Sequence, residues 1–474
     1  MNKKEDVCAL QTVKNMTTYQ KNINIAYIGG GSRGWAWTFM TDLALEPSLK
    51  GTVRLYDIDH EASRKNEKIG NDLRNDERCL SDFNYVSVDS LKEALTGADF
   101  VVISILPGTF DEMEVDVHAP EKYGIYQSVG DTAGPGGYIR ALRTIPMFVE
   151  IAEAIKEYSP NAWVINYTNP MSLCVKTLYE TFPQIKAFGC CHEVFNTQEV
   201  LASIISNELN IPDIKRTDLY TNVIGINHFT WFTSASYRDI DIFPIYRKYV
   251  DEHFEEGYEF TSDNWMNTYF SCAHRVKFDL FRKHGNIAAA GDRHLAEFMP
   301  GDSYLKNPET VESWKFTLTP VSYRKDDLQK RLARSNRLYN GEEHIDLKST
   351  GEEGVQLIKA LCGLANRVSN VNLPNYALQI PNLPKDAVVE TNALFCFDNV
   401  TPVFAGEMPE DIRQLTMPHI ENHTRIYKAA INKDRSLVYE AFENDPNING
   451  RMNKEEIRSL VDEMIAGTSK FCDL

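Results

Sequence analysis

Two short motifs contain residue types that bind a transition metal. Cys191 lies in Gly-Cys-Cys-His-Glu-Val (189–194), and His228 lies in Gly-Ile-Asn-His-Phe (225–229). Each motif follows an apolar run that is typical of a buried strand ending in a loop. Because a thiolate and an imidazole together hold a divalent transition metal well, we predict that Cys191 and His228 are metal ligands. The alternative is that one is an inert buried thiol and the other a core histidine.

A glycine-rich turn near the N-terminus indicates a dinucleotide site. Residues 23–28 form an apolar strand pattern, 29–34 read Gly-Gly-Gly-Ser-Arg-Gly, and 35–45 have a helical pattern. Such a turn places a pyrophosphate on backbone amides at a helix N-terminus. The residues predicted to bind the cofactor here are Gly29, Gly30, Gly31, Ser32 and Arg33.

The next predicted strand, 53–57, ends in Asp57. A carboxylate at the tip of the second strand can accept a hydrogen bond from the 2'-hydroxyl of a ribose. The pattern therefore favours NAD over NADP. The alternative for Asp57 is an ordinary turn residue.

Strand and helix patterns alternate through the first two hundred residues, which predicts an α/β fold with a Rossmann-type doubly wound parallel sheet, as in lactate and malate dehydrogenases. Ligands of such sheets bind beyond the carboxyl ends of the strands. Asn169, after the apolar run 162–167, and the glycine-rich loop 130–137 are therefore expected in one crevice. Taken alone, that loop is equally well explained as a plain turn.

The length of 474 residues predicts about two domains. We expect a flexible tail over 1–20, an NAD-binding domain over 21–200, and a mixed, mainly helical catalytic and oligomerisation lobe over 201–474. Within that lobe, 322–327 and 370–375 are candidate loops.

The formal net charge of −17 argues against nucleic acid or an anionic membrane surface as a partner. It does not exclude a small anionic substrate, which a single arginine can bind. The nine cysteines are odd in number and irregularly spaced, and residues 1–20 lack the apolar core of a secretory signal. These features predict a reduced, cytoplasmic location, and no apolar run is long enough to predict a membrane span.

Four ionisable side chains lie close together in Gly-Asp-Arg-His-Leu-Ala-Glu (291–297). A charge cluster is often only a solvated face, but this one is flanked by small and apolar residues. We therefore include it among the candidate site segments.

The order of these motifs resembles a known family. The motifs on which the resemblance rests are Ile-Gly-Gly-Gly-Ser (28–32), Asp131 to Gly137 with Arg140-Ala-Leu-Arg143, Asn169-Pro-Met, Cys191-His192, Asn227-His228-Phe229 and Gly291-Asp-Arg-His294. Together they resemble glycoside hydrolase family 4, the NAD- and manganese-dependent glycosidases, from Asn22 to about Pro446. Within that family, Cys191-His192-Glu193-Val194 resembles the α-galacturonidase branch.

The resemblance implies an exo-acting enzyme that releases galacturonate from short α-galacturonosides such as pectin fragments. The nearest rivals are an α-glucuronidase or another α-glycosidase of the family. In the implied mechanism, NAD+ oxidises C3 of the sugar, and a Mn2+ ion on Cys191 and His228 polarises the sugar oxygens. A base then removes the C2 proton, the C1 oxygen leaves, water adds, and NADH reduces C3 again.

The resemblance also implies residue roles. Asp292 matches the base, with Tyr269 as the alternative, and His192 assists the leaving group or orients the sugar. Asn169, Asp131 and His294 are expected among the substrate-binding residues.

A uronate needs a cation for its carboxylate, and Arg140 and Arg293 both remain candidates. Glu193 is expected to orient an arginine or to bind the axial 4-hydroxyl.

Two other classes remain open, a 2-hydroxy-acid dehydrogenase and a non-catalytic NAD sensor. The ligands would also suit Co2+ or Fe2+. By resemblance, a homodimer or homotetramer is expected.

Overall fold

The computed structural model describes residues 20–261 and 264–474. The predicted N-terminal tail, 1–20, lies outside the described residues except for Gln20. The described chain forms two β-sheets surrounded by helices. Among these residues, no helix combines the length and the apolar character needed to cross a bilayer.

The strands of the described chain are β1 Lys21–Ile28, β2 Leu49–Tyr56, β3 Asp82–Val88, β4 Phe100–Ile103, β5 Trp163–Asn166, β6 Lys186–Gly189, β7 Leu219–Ile226, β8 Phe229–Tyr237, β9 Ile240–Asp241, β10 Ile287–Ala288, β11 Arg367–Pro374, β12 Val388–Cys396 and β13 Asn399–Pro402.

Its α-helices are α1 Trp35–Ala44, α2 His60–Asp72, α3 Leu91–Leu95, α4 Phe110–His118, α5 Gly134–Tyr158, α6 Met171–Thr181, α7 Glu193–Leu209, α8 Ile242–Glu252, α9 Arg275–His284, α10 Asp292–Glu297, α11 Gly301–Tyr304, α12 Pro308–Ser313, α13 Val321–Asn340, α14 Gly354–Leu361, α15 Glu410–Asn432, α16 Arg435–Asn444 and α17 Lys454–Gly467.

The main sheet has the order β13-β12-β11-β6-β5-β4-β1-β2-β3. The six strands from β6 to β3 are parallel, whereas β11, β12 and β13 are antiparallel to their neighbours. The parallel part has a doubly wound strand order. The chain begins at the central strand β1, adds β2 and β3 on one side, and then adds β4, β5 and β6 on the other side. The predicted Rossmann-type fold class is therefore confirmed.

The apolar residues of β1 are buried on both faces of the sheet. Ile25 and Tyr27 pack into a core that includes Phe39 of α1. Ala26 and Ile28 pack into a second core that includes Phe148 of α5. Burial on both faces explains why the central strands have nearly continuous apolar sequences.

The reversal of strand order positions the site. Ile28, the last residue of β1, lies between Tyr56 of β2 and Ile103 of β4. The crevice where ligands bind in such sheets opens at this point, beyond the carboxyl ends of the strands. The glycine-rich turn follows β1 directly.

The second half of the chain contributes to both sheets. Asn372 of β11 pairs with Gly189 of β6, which extends the main sheet by three strands. A smaller sheet contains β10, β8 and β7, with β9 paired to β8. Since the main sheet runs through both halves, the boundary predicted at residue 200 stays a prediction.

Both candidate loops of the second half were predicted wrongly. Residues 322–327 lie in α13, and 370–374 lie in β11. The polar residues of β11 look like a turn in sequence, but Asn370 and Asn372 are buried. Asn370 Nδ2 donates to Glu390 Oε1 of β12 at 2.7 Å, so a carboxylate of the neighbouring strand pairs with this buried amide.

Candidate active site

The glycine-rich turn is packed too closely for side chains. At Gly29, where φ is +94°, a Cβ would overlap the carbonyl of Ser104 after β4. At Gly31, a Cβ would lie 2.7 Å from Ala62 Cβ and 2.9 Å from Asp57 Oδ2. The turn therefore needs glycine for close approach to the ends of β2 and β4.

Asp57 is bonded to that turn. Its Oδ2 accepts a 2.8 Å hydrogen bond from Gly31 N, and its Oδ1 accepts one of 2.9 Å from Asp59 N. Burial raises the pKa of the Asp57 carboxyl. Arg33 pairs with Asp59 at 3.0 Å. The position beside the turn suits a ribose hydroxyl, and this role of Asp57 stays a prediction.

Helix α1 begins directly after the turn, and its N-cap residue, Gly34, offers no side chain to its first amides. Free amides at a helix N-terminus attract a phosphate group. The turn, Asp57 and these amides thus fit a dinucleotide.

A second set of residues could hold a metal ion. One ligand atom each from Asp131, His228 and His294 lie within 4.8 Å of one another. Asp131 precedes α5, His228 lies in the two-residue turn between β7 and β8, and His294 lies in α10. Two imidazoles and a carboxylate suit Mn2+ and similar divalent ions.

His228 is held in an unusual backbone conformation, with φ at +64°. Such strain in a buried residue other than glycine is characteristic of functional sites. Its Nδ1 lies 2.9 Å from Thr132 Oγ1, and its ring centre lies 3.8 Å from that of His294. The Thr132 contact fixes the ring and leaves Nε2 to face a ligand.

Burial favours the neutral form of both imidazoles. It lowers the pKa of His228 to about 3 and also lowers the pKa of His294, with the neighbouring charges as smaller causes. Nδ1 of His294 is buried and has no hydrogen-bond partner among the residues that the structure describes. A neutral ring with an unused buried nitrogen is chemically suited to a metal ion.

Asp131 supplies negative charge to this group. Burial alone would raise the pKa of its carboxyl, but Arg140, His294, His228 and Arg324 together lower it below its ordinary value. The carboxylate is thus ionised, as a ligand for a hard cation must be.

Cys191 follows β6 and is not one of these three residues. Burial raises the pKa of its thiol, and the charges of Glu390 and Glu193 raise it further, whereas a contact with Asn227 lowers it. Asn227 precedes His228, so the two predicted ligands are connected through one side chain. The role of Cys191 as a metal ligand stays a prediction.

His192 connects the metal motif to the glycine turn. The ring of Trp35, the first residue of α1, lies 5.9 Å from the His192 ring and 5.3 Å from that of Tyr167. His192 Nδ1 lies 3.2 Å from Glu352 Oε1, and this hydrogen bond raises the pKa of His192 to about 9. The cofactor turn and the 189–194 motif therefore meet in one crevice.

Glu193 contacts two histidines rather than an arginine. Its Oε1 lies 3.9 Å from His192 Nε2 and 3.7 Å from His294 Nε2, while Oε2 accepts a 2.8 Å hydrogen bond from Gly291 N. Burial would raise the pKa of Glu193, but the histidines lower it to about 2. Contact with a 4-hydroxyl stays a prediction.

Asp292 is fully buried at the start of α10, next to the start of α9. Its carboxylate oxygens accept hydrogen bonds of 3.1 Å from Val276 N and Lys277 N. Burial raises its pKa to about 6. It also forms a possible ligand group with Cys272 and His274. The catalytic role predicted for Asp292 stays a prediction, since these amides occupy both oxygens.

Tyr269, the alternative base, is 39% exposed. Its ring packs against that of Tyr323 in α13 at 5.1 Å. Its carbonyl accepts hydrogen bonds from Thr317 and Thr319, which fix the segment. Tyr269 is therefore partly accessible to solvent, and its carbonyl is linked through the hydroxyl of Thr319 to Arg293.

The two predicted carboxylate-binding arginines are engaged with backbone groups. Arg293 donates to the carbonyl of Ser128 at 2.9 Å and to the hydroxyl of Thr319. Arg140 Nε donates to the carbonyl of Asn169 at 3.1 Å, while its Nη1 is buried without a partner. The Arg140 contact fixes Asn169 at the end of β5, near the loop that contains Asp131.

Three further residues of the site were missed in the sequence, namely Arg324, Glu352 and Glu390. They reach the site from distant segments, and only the fold reveals them. Thr132 and Glu297 belong to the candidate segments 130–137 and 291–297, but no role was predicted for either side chain.

Comparison with known proteins agrees with this geometry. Residues 24–207 match the family described as family 4 glycosyl hydrolase, and 223–448 match the C-terminal domain of that family. A relative named alpha-galacturonidase from Lachnoclostridium phytofermentans is 63% identical over 95% of this chain and 97% of its own length.

Two solved structures are similar to this one. A Bacillus subtilis structure, provisionally described as a glucosidase, has a TM-score of 0.89 at 50% identity over 94% of this chain and all of that one. A 6-phospho-beta glucosidase from Thermotoga maritima, solved with manganese, NAD+ and glucose-6-phosphate, has a TM-score of 0.73 at 19% identity over 95% of this chain and all of that one. At that identity the second likeness concerns the fold. The two family matches together span most of the sequence, and the chain belongs to family 4 of the glycosyl hydrolases.

Proposed function

We propose that this protein is an exo-acting α-galacturonidase that uses bound NAD and a divalent cation, Mn2+ in the first instance. The substrate is a short α-galacturonoside, and galacturonate is the sugar released. The name of the Lachnoclostridium relative supports this substrate class. The description of the Bacillus structure names a different sugar, so the choice of substrate needs a direct test.

The observation that carries the proposal is the meeting of two sites. The ring centre of Trp35, beside the glycine turn, lies 5.9 Å from that of His192. Glu193 then contacts both His192 and His294, and His294 belongs to the possible cation group. A dehydrogenase would need no cation site in this position. A glycosidase that oxidises its sugar before cleaving it needs both sites on one substrate.

The described chain has residues that fit both NAD and a divalent cation. Gly29, Gly31 and Asp57 would hold NAD, and Asp131, His228 and His294 would hold the cation, with Cys191 as a further ligand. When bound, NAD supplies reversible hydride transfer and the cation supplies Lewis acidity. The rest of the chemistry belongs to the chain.

The chain must move protons at two places. We assign the base that removes the C2 proton to Tyr269, because its phenol is accessible whereas both oxygens of Asp292 accept helix amides. We assign the leaving-group proton to His192, which the Glu352 contact orients at the entrance of the crevice. Asn169 then positions the sugar hydroxyls.

The test is substrate preference. The purified protein is mixed with NAD+, Mn2+ and a reductant, and release of p-nitrophenol is compared among the α-galacturonoside, α-glucuronoside, α-galactoside and α-glucoside. The expected result is a kcat/KM for the galacturonoside at least ten times that for any other. Faster cleavage of the glucuronoside or of a neutral glycoside would assign the rival specificity, and net NADH formation without cleavage would assign a dehydrogenase.

The assignment of the base is tested with Tyr269→Phe and Asp292→Asn in the same assay. If Tyr269 is the base, Tyr269→Phe loses 100-fold or more in kcat, within the range for general base catalysis of roughly 10² to 10⁴. Exchange of the C2 hydrogen with deuterated solvent is lost as well. Loss of exchange in folded Asp292→Asn alone would transfer the role to Asp292.

We also propose self-association and a cytoplasmic location. Phe397 and Phe404, at the edge of the main sheet, are each 69% exposed, and Val368 is 57% exposed. Such exposed apolar side chains are typical of an interface, and light scattering should give a dimer or tetramer. Seven cysteines of the described chain have free thiols, which suits a reducing compartment, and they are Cys174, Cys190, Cys191, Cys272, Cys362, Cys396 and Cys472.

A further inference from the structure

Arg324 has an open guanidinium at the site. It lies in the first turn of α13, and its guanidinium carbon is 5.7 Å from the ring centre of Phe270. Within the described chain it has no hydrogen bond or ion pair to a carboxylate. Nearby cations of the same helix do, since Lys325 pairs with Asp111 and Arg331 with Asp327. An arginine placed against an aromatic ring without an acidic partner is suited to bind an anion.

The position of Arg324 is set by its neighbours. Phe270 also contacts Arg293, whose guanidinium lies 5.3 Å from the same ring. The charge of Arg324 is one of the causes that lower the pKa of Arg293 and the pKa of Asp131, and Asp131 belongs to the possible cation group. Arg324 is therefore close enough to the group to influence whatever sugar is bound there.

Arg293 and Arg140 are less available than Arg324 to bind a carboxylate. Arg293 donates to Ser128 and Thr319, and Arg140 donates to Asn169 while lying next to the charges of Asp131 and Asp116. Both are nearly or fully buried, whereas Arg324 is partly exposed. A planar carboxylate binds best to a guanidinium that can offer two donors side by side.

We propose that Arg324 binds the C6 carboxylate of the uronosyl unit and so sets the preference for a charged sugar over a neutral one. This inference rests on the proposed function for the identity of the sugar. The sugar hydroxyls then face Asp131, His228 and His294, and Phe270 holds the guanidinium plane in place. A neutral galactoside would leave Arg324 without its partner, so the site would bind the charged sugar in preference to the neutral one.

The experiment compares Arg324→Gln, Arg324→Lys and the control Arg238→Gln. Arg238 lies against the ring of Tyr237 at the end of β8 opposite His228 and has no acidic partner within the described chain, so the control removes one charge away from the site. With NAD+ and Mn2+ present, kcat/KM is measured for p-nitrophenyl α-galacturonoside and α-galactoside. The ratio of the two should fall about 100-fold in Arg324→Gln and about 10-fold in Arg324→Lys, and stay at the wild-type value in the control.

Binding of free sugars separates this inference from the proposed function. Calorimetry with the NAD- and Mn2+-loaded protein should show that Arg324→Gln weakens galacturonate about 100-fold relative to galactose. If the wild type cleaves no galacturonoside, the proposed function fails, and the galacturonate titration still tests Arg324. The assignment would be overturned if Arg324→Gln lost the same affinity for galacturonate and galactose. It would also be overturned if the folded variant kept the wild-type ratio of kcat/KM for the two glycosides.

Discussion

Glu193 Oε1 lies 3.7 Å from Nε2 of His294. Glu193 begins α7 and His294 belongs to α10, so this contact joins the first half of the chain to the second across the site. The same carboxylate approaches His192 and accepts the amide of Gly291. Glu193 therefore acts as a buried counter-charge that orients the imidazoles around a cation.

The first prediction concerns that counter-charge. Glu193→Gln keeps the shape but removes the charge, so we expect kcat/KM to fall roughly 10- to 100-fold, as for other residues that orient metal ligands. The ratio between galacturonoside and glucuronoside should stay constant. A changed ratio would mean that Glu193 contacts the axial 4-hydroxyl directly.

The second prediction concerns the cation. His228→Gln removes one imidazole from the three-residue group, so the Mn2+ dissociation constant should rise about 100-fold or more, which is at least the upper effect of losing an orienting residue. Paramagnetic resonance of free Mn2+ measures it. His284→Gln is the matched control, because His284 pairs with Asp411 outside the group. Equal affinity in both variants would remove His228 from the cation site.

The sequence predicts the residues that follow the strands but not those brought in by tertiary contacts. Asp57 and Asn169 were predictable because a parallel sheet gathers the carboxyl ends of its strands at one edge. Arg324 was not, because α13 buries only Val321, Ser335 and Leu338 along its length and so has no apolar periodicity. The ion pair between Arg331 and Asp327 supports that helix instead.

Buried carboxyl groups show a second limit of prediction from the sequence. Glu297 belongs to the charge cluster 291–297, for which the sequence predicts a site but no role for this carboxyl, and the residue is only 1% exposed. Its Oε1 accepts hydrogen bonds of 2.6 Å from Val129 N and 2.8 Å from Gly130 N, while Oε2 is buried without a partner. Glu297 thus fixes the start of the loop that contains Asp131, a role that depends on a contact 167 residues away along the chain.

The third prediction concerns pH. Burial raises the pKa of Glu297 to about 8 from an ordinary value of 4.5, so the folded state binds more protons than the unfolded state between these values. The contribution to stability is complete below pH 4.5 and is lost as the pH rises towards 8, by up to about 1.4 kcal/mol per pH unit.

Glu297→Gln keeps the acceptor for both amides and does not ionise. The wild type should therefore lose more free energy of unfolding than the variant between pH 5 and pH 8, as measured by urea denaturation. Parallel curves for the two proteins would contradict a raised pKa at this position.

The fourth prediction concerns the nucleotide. Asp57 holds the amides of Gly31 and Asp59, and a ribose hydroxyl at this position would add a third partner. Asp57→Ala removes the carboxylate that accepts hydrogen bonds from the turn and from the ribose. The NAD+ dissociation constant should therefore rise about 10-fold or more, because one hydrogen bond to a charged group contributes roughly 1.5–3 kcal/mol. Quenching of Trp35 fluorescence at the start of α1 provides the measurement.

Asp57→Asn is the matched comparison, because it keeps an oxygen for Gly31 but removes the charge. A 2'-phosphate would no longer be repelled, so the affinity for NADP+ relative to NAD+ should rise in this variant. Unchanged NAD+ affinity in Asp57→Ala together with unchanged NADP+ discrimination in Asp57→Asn would mean that Asp57 only supports the glycine turn. Selection of the nucleotide would then depend on Arg33 and Asp59, whose 3.0 Å ion pair is the next charged contact beside that turn.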